Sequence, residues 1–187
     1  MSKNAFPVRR LVIDAVLTAL FYVLSLFSLT FGHSLKLTLD SLPCILAAVL
    51  YGPVDGFLVA FLGTFAQQMM QYGFTVTTLL WMLAPALRGL ILGLLMKLFP
   101  DGIREPGQYV RYFLFCVLAG IFVSAGNTAV LYLDSKLFGY YNYALVFGAA
   151  VVRFVSGIAA SLLTAAAIIP VCLALFGAGL VRRPVFR

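Results

Sequence analysis

The chain has 187 residues, 63% of them hydrophobic and only 10% charged, and its mean hydropathy is +1.06. Soluble domains run at ~45–50% apolar and ~25% charged residues, so a water-soluble enzyme domain is excluded, and so is a disordered segment. The net charge of +7 sits at the ends of apolar segments, where it biases orientation in a membrane and meets anionic lipid heads rather than nucleic acid.

At ~20 residues per membrane-spanning helix, the length provides for about six spans in a single domain over residues 1–187. Met1 to Arg10 is short and basic, like the start of a signal peptide. The apolar stretch that follows, Leu11 to Phe31, is long enough to span and shows no Ala-x-Ala cleavage site, so it reads as a retained first helix. The link His33 to Asp40 alternates apolar and polar residues and suits a strand-like or interfacial segment. Span two runs from Ser41 to Tyr51. The turn Gly52-Pro53-Val54-Asp55-Gly56 separates it from span three, Phe57 to about Met70.

A polar, aromatic link, Gln71 to Thr75, leads into span four, Val76 to Phe99, which contains Pro85 and Arg88. Pro100 to Gln108 reads as an aqueous loop. Span five covers Tyr109 to about Tyr132, and a tyrosine-rich link continues to Tyr143. The tract Ala144 to Leu180 is too long for one straight span. It divides into a short leading helix and span six, Val152 to Phe176. The class is therefore an all-α integral membrane protein of six transmembrane helices. With an even number of spans, Lys3, Arg9, Arg10, Lys97, Arg104, Arg111, Arg182, Arg183 and Arg187 fall on one side. Only Lys36 and Lys136 fall on the other. This imbalance places both termini in the cytoplasm.

Three ionisable residues lie inside apolar tracts. A charge in hydrocarbon costs at least ~2.5–3.5 kcal/mol, so such residues face a cavity, a partner or a helix end. Asp14 reads as an interfacial partner of Arg10. Arg88 follows Pro85, which loosens local hydrogen bonding; ligand contact and a buried ion pair both remain open for it. For Arg153 the alternatives are an anionic ligand and snorkelling to the interface. Near the external end, Lys36, Gln67, Gln68, Gln71, Tyr72, Trp81 and Asn127 form a second polar and aromatic set. Aromatic belts explain some of the rings, but amides inside a bundle need hydrogen-bond partners, supplied by other helices or by a polar ligand. Ala15 and Ala19, and Gly89 and Gly93, are small-residue pairs that allow close helix approach.

Catalytic constellations are missing. One histidine builds no multi-histidine metal site. No phosphate-binding Gly-rich loop is present, and Cys44, Cys116 and Cys172 are far apart, with no Cys-x-x-Cys. The chain is thus read as a non-enzyme with no cofactor and no metal. An autonomous secondary carrier is the alternative from another class, and it would need an ion-coupling site or a continuous polar pore.

The stretch Ala15-Val16-Leu17-Thr18-Ala19 resembles the Ala-x-x-x-Ala signature in the first helix of S components, the substrate-binding subunits of energy-coupling factor (ECF) vitamin transporters. The tract Leu39 to Gly56, with Pro43, the pair Leu46-Ala47 and then Tyr51-Gly52-Pro53 before Gly56, resembles the folate-type branch. Thr75 to Gly93, with Ala86-Leu87-Arg88-Gly89-Leu90, resembles its fourth helix, and Arg153 matches an arginine near the start of its last helix. The resemblance implies a high-affinity vitamin-binding subunit without ATPase machinery of its own. Its pocket would open outward between the first and third external links and helices four to six. The substrate-binding set expected is Arg88, Arg153, Gln67, Gln71, Tyr72, Trp81, Asn127 and Lys36. Ala15 and Ala19 would dock a transmembrane coupling subunit, with two cytoplasmic ATPases completing the importer. Folate is the ligand implied, with cobalamin and pantothenate as alternatives; paired guanidinium groups suit carboxylates.

Overall fold

The computed structural model describes residues 8–31, 35–98, 103 and 105–178. Among them are six α-helices: α1 Val8–Leu26, α2 Ser41–Leu50, α3 Pro53–Tyr72, α4 Thr78–Met96, α5 Pro106–Leu137 and α6 Ala150–Gly177. A π-helical turn, Ala144–Gly148, precedes α6. α4, α5 and the continuous tract Ala144–Gly177 are long and apolar enough to cross a membrane. α1 carries Arg9, Arg10 and Asp14 in its first two turns, α3 carries Asp55 and three glutamines, and α2 has only ten residues.

The first helix stops at Leu26, earlier than its apolar run suggests. Ser28–Phe31 (β1) instead pairs antiparallel with Leu35–Thr38 (β2). The physical reason is a period of two already present in Ser-Leu-Thr-Phe, which continues in Leu-Lys-Leu-Thr. The register sets Leu29 opposite Leu37 and Thr30 opposite Lys36, apolar with apolar and polar with polar. This hairpin is the one exception to an all-helical architecture among the described residues. The residues between span two and span three are also not a free-standing turn. Pro53 takes the first helical position of α3, where its missing N–H costs nothing, and Gly52 supplies the positive φ of 110° that reverses the chain.

α2 is the hub. Ser41 and every residue from Pro43 to Val49 are buried, and α2 packs against α1, α3, α4 and α6. The core around it includes Leu17, Val59, Leu92, Tyr112, Ile168 and Cys172. Tyr112 donates from its hydroxyl to the Ala165 carbonyl, 3.2 Å away, tying α5 to α6. The three cysteines are free and buried. Small residues bring the backbones close. A Cβ on Gly89 would run into the Gly56 carbonyl, and one on Gly93 would run into Pro53, so the α3–α4 crossing depends on this pair. On the α5–α6 side, Gly120 meets Ser161 and Gly157 meets Ser124. Ala15 and Ala19 lie on an exposed face of α1 with Leu11, Val12, Val16 and Leu20, and no helix among the described residues covers them.

Candidate functional site

A cavity of about 220 Å³ lies between the helices on the hairpin side of the bundle. All six helices contribute to its wall. Phe21 comes from α1, Cys44 from α2, Thr64 and Gln67 from α3, Pro85 and Arg88 from α4, Ser124 and Asn127 from α5, and Arg153, Ser156 and Gly157 from α6. The wall is thus broader than the two links and three helices expected.

Its electrostatics are set by two arginines against one aspartate, Asp40, at the N-terminal boundary of α2. Arg88 sits near the middle of α4 and has no hydrogen-bond or ion-pair partner among the described residues; its Nε is buried and unpaired. Among the described residues no acid stands within ion-pair distance of Arg88, although Asp40 lines the same cavity. Arg153 is anchored on one side only. It donates from Nη1 to the Leu145 carbonyl at 3.3 Å and from Nη2 to the Val146 carbonyl. The widened π turn presents these carbonyls, a geometry common where function is built. Its Nε is also buried without a partner. Thr64 adds a buried, unpartnered hydroxyl to the same wall. An unpaired buried donor costs ~1–3 kcal/mol and more when charged, so this wall is energetically incomplete toward an acceptor.

Four of the eight residues expected at the site meet here: Arg88, Arg153, Gln67 and Asn127. Tyr72 and Trp81 line a separate, outer pocket of about 520 Å³, together with Gln68 and Asp134. The carboxylate of Asp134 accepts from the Thr77 and Tyr140 hydroxyls. That bond to Asp134 pushes the Tyr140 hydroxyl up to about 12. Gln71 is exposed and lines neither space. Of Lys36 only the backbone pairing is described; its side chain lies outside the described residues. Thr64, Ser124 and Ser156 were missed from sequence. Each stands three residues from a residue that was singled out (Gln67, Asn127 and Arg153), on the same helix face.

At the other end of the bundle, Arg10 forks onto Asp55. Its Nε donates to Oδ1 at 2.9 Å, its Nη2 to Oδ2, and Nη2 also reaches the Tyr51 carbonyl at 2.8 Å. Asp14, the expected partner, feels the Arg10 charge as well, but the direct ion pair runs to Asp55 of α3. Asp55 is 0% exposed and the Arg10 side chain 30%. Asp14 lies buried beside them, with Oδ1 unpartnered.

Comparison with known proteins bears on this arrangement. No curated protein matches the chain. Among solved structures, the S-component for biotin from an ECF-type ABC transporter superposes with a TM-score of 0.62 at 18% identity, covering 90% of this chain and 92% of that one. The S component of a bacterial ECF transporter superposes with a TM-score of 0.51 at 20% identity, covering 94% and 98%. At these identities the likeness is one of fold. The sequence model of the family described as "ECF transporter, substrate-specific component" matches residues 9–179. The chain therefore belongs to the ECF transporter substrate-specific component family, a family of transport subunits rather than enzymes.

Proposed function

We propose that this chain is the membrane-embedded, high-affinity binding subunit of an ECF-type importer for an anionic B-type vitamin, folate or a close relative. The observation that carries this reading is the pair of arginines in one cavity, with buried Nε donors and no acid partner for Arg88 among the described residues. Guanidinium groups bind carboxylates bidentately, and folate carries two carboxylates. Trp81, Pro85 and Arg88 follow at i, i+4 and i+7 along α4. Trp81 is therefore ~10 Å from Arg88 along the helix axis. A ligand with its carboxylates at the arginines would have to extend from their cavity into the separate outer pocket to lay its ring against Tyr72 and Trp81. The cavity of about 220 Å³ is below the ~300–1,000 Å³ of usual ligand sites. It favours a smaller monocarboxylate such as pantothenate as the second reading.

Six membrane-spanning helices with both termini cytoplasmic accord with the distribution of basic residues. The exposed Ala15 and Ala19 face suits docking of a transmembrane coupling subunit, which two cytoplasmic ATPases would drive. Mass spectrometry of small molecules released from the detergent-purified chain is the deciding experiment. Folate at near one-to-one is the expected result; pantothenate or another vitamin keeps the family and overturns the branch. Leucine at Ala15 or Ala19 should abolish uptake by the assembled importer while leaving binding by the isolated chain intact. Loss of binding in folded protein would contradict the docking role.

A further inference from the structure

On the outside of the bundle, away from both polar spaces, α5 and α6 leave an apolar groove of about 600 Å³. Its walls are Ala125, Ala129 and Tyr132 on α5, and Phe147, Ala150 and Phe154 on the π turn and α6. Small residues on both helices open it, and aromatic rings border it. From Ala125 to Tyr132 the groove runs ~10 Å along α5. Lys136 does not line the groove itself but stands one helical turn beyond its Tyr132 end. The ammonium of Lys136 stands 5.9 Å from the Tyr132 ring centre and 4.1 Å from that of Tyr141. These two rings meet edge to face at 5.6 Å, and Tyr132 also touches Phe147 at 6.1 Å. The nearby carboxylate of Asp134 accepts from Thr77 and Tyr140, and no acid pairs with Lys136 among the described residues.

We infer that this groove is a binding site for one anionic phospholipid, with an acyl chain between α5 and α6 and the phosphate-bearing headgroup at Lys136. An acyl chain matches an almost wholly apolar wall. The tyrosine rings hold the ammonium at the groove's end by cation–π attraction, so its charge is presented rather than dispersed. A zwitterionic lipid fills the same groove but gains less from Lys136. The site is independent of which ligand the arginine cavity takes.

The test is native mass spectrometry of the full chain, stripped of lipid in detergent and titrated with dioleoyl phosphatidylglycerol and dioleoyl phosphatidylcholine. One phosphatidylglycerol per chain should bind about fivefold more tightly than phosphatidylcholine, the upper end of what one exposed ion pair contributes. Lys136→Gln should erase that difference and leave phosphatidylcholine binding unchanged. Ala129→Phe should fill the groove and weaken both lipids alike; Ala150→Leu, on the opposite wall, repeats that test should the first variant fail to fold. Equal affinity for the two lipids in the unmodified chain, or a preference that survives Lys136→Gln, overturns the assignment. Retention of both lipids in folded groove-filling variants overturns it as well.

Discussion

Arginine appears at both ends of this bundle and is treated differently at each. Arg10 is paired within the chain: it forks onto a fully buried Asp55 and donates to the carbonyl of Tyr51. Arg88 and Arg153 reach the interior with donors left over, Arg88 with no partner among the described residues and Arg153 tied only to backbone carbonyls. Burying a charge is costly either way. At one end the cost is met within the chain, so the arginine holds helices together. At the other it is left to an acceptor from outside, which is what a binding site requires.

Substitutions separate the two kinds of arginine. The largest effect belongs to Arg10. Arg10→Ala strands the carboxylate of Asp55 at 0% exposure and should lower stability by about 3 kcal/mol. Asp55→Ala should cost less, about 1–2 kcal/mol, because Arg10 is partly exposed and can turn to water. Thermal unfolding in detergent reads both; equal losses would refute this asymmetry. Next is Arg88→Ala, which should weaken an anionic vitamin by about 1.5–3 kcal/mol in calorimetric titration without loss of stability. A stability loss like that of Arg10→Ala would place Arg88 among the structural arginines instead. Arg153→Lys keeps the charge and loses the fork, so a smaller drop in affinity of about 1 kcal/mol is expected in the same titration.

The smallest effect concerns Tyr140. Its hydroxyl, raised from 10.0 to about 12 by the bond to Asp134, is protonated and bonded below pH ~10. The stabilisation it brings is lost as pH rises through about 12. Ultraviolet titration of Tyr140→Phe against the unmodified chain should therefore remove a late-ionising tyrosine; removal of an ordinary one would contradict the bond.

Helices were legible from apolar run length, and the short leading helix before α6 was legible from a tract too long to be straight. The end of α1 was not. Leu29 and Phe31 count equally as apolar whether they extend a helix or alternate in a strand, so the two-residue period was hidden inside the hydrophobic tally. Arg88, Arg153, Gln67 and Asn127 stood out because each is polar in an apolar setting. Thr64, Ser124 and Ser156 are small hydroxyls of a kind membrane helices tolerate; Ser156 bonds its own backbone at the Arg153 carbonyl, 3.0 Å away, and Thr64 does not. The bond from Arg10 to Asp55 crosses 45 residues. It depends on how α1 sits against α3, which local pattern does not specify.

The brevity of α2 has a consequence for charge. Ten residues make ~15 Å of helix, about half of a ~30 Å hydrocarbon layer. Arg10 meets its C-terminal end at Tyr51, while Ser41 and Cys44 at its start face the arginine cavity. A helix that stops halfway leaves open the volume a full one would fill, and turns the positive end of its dipole into that space. The helix that ends there then adds its positive end to the two arginines, against the single carboxylate of Asp40.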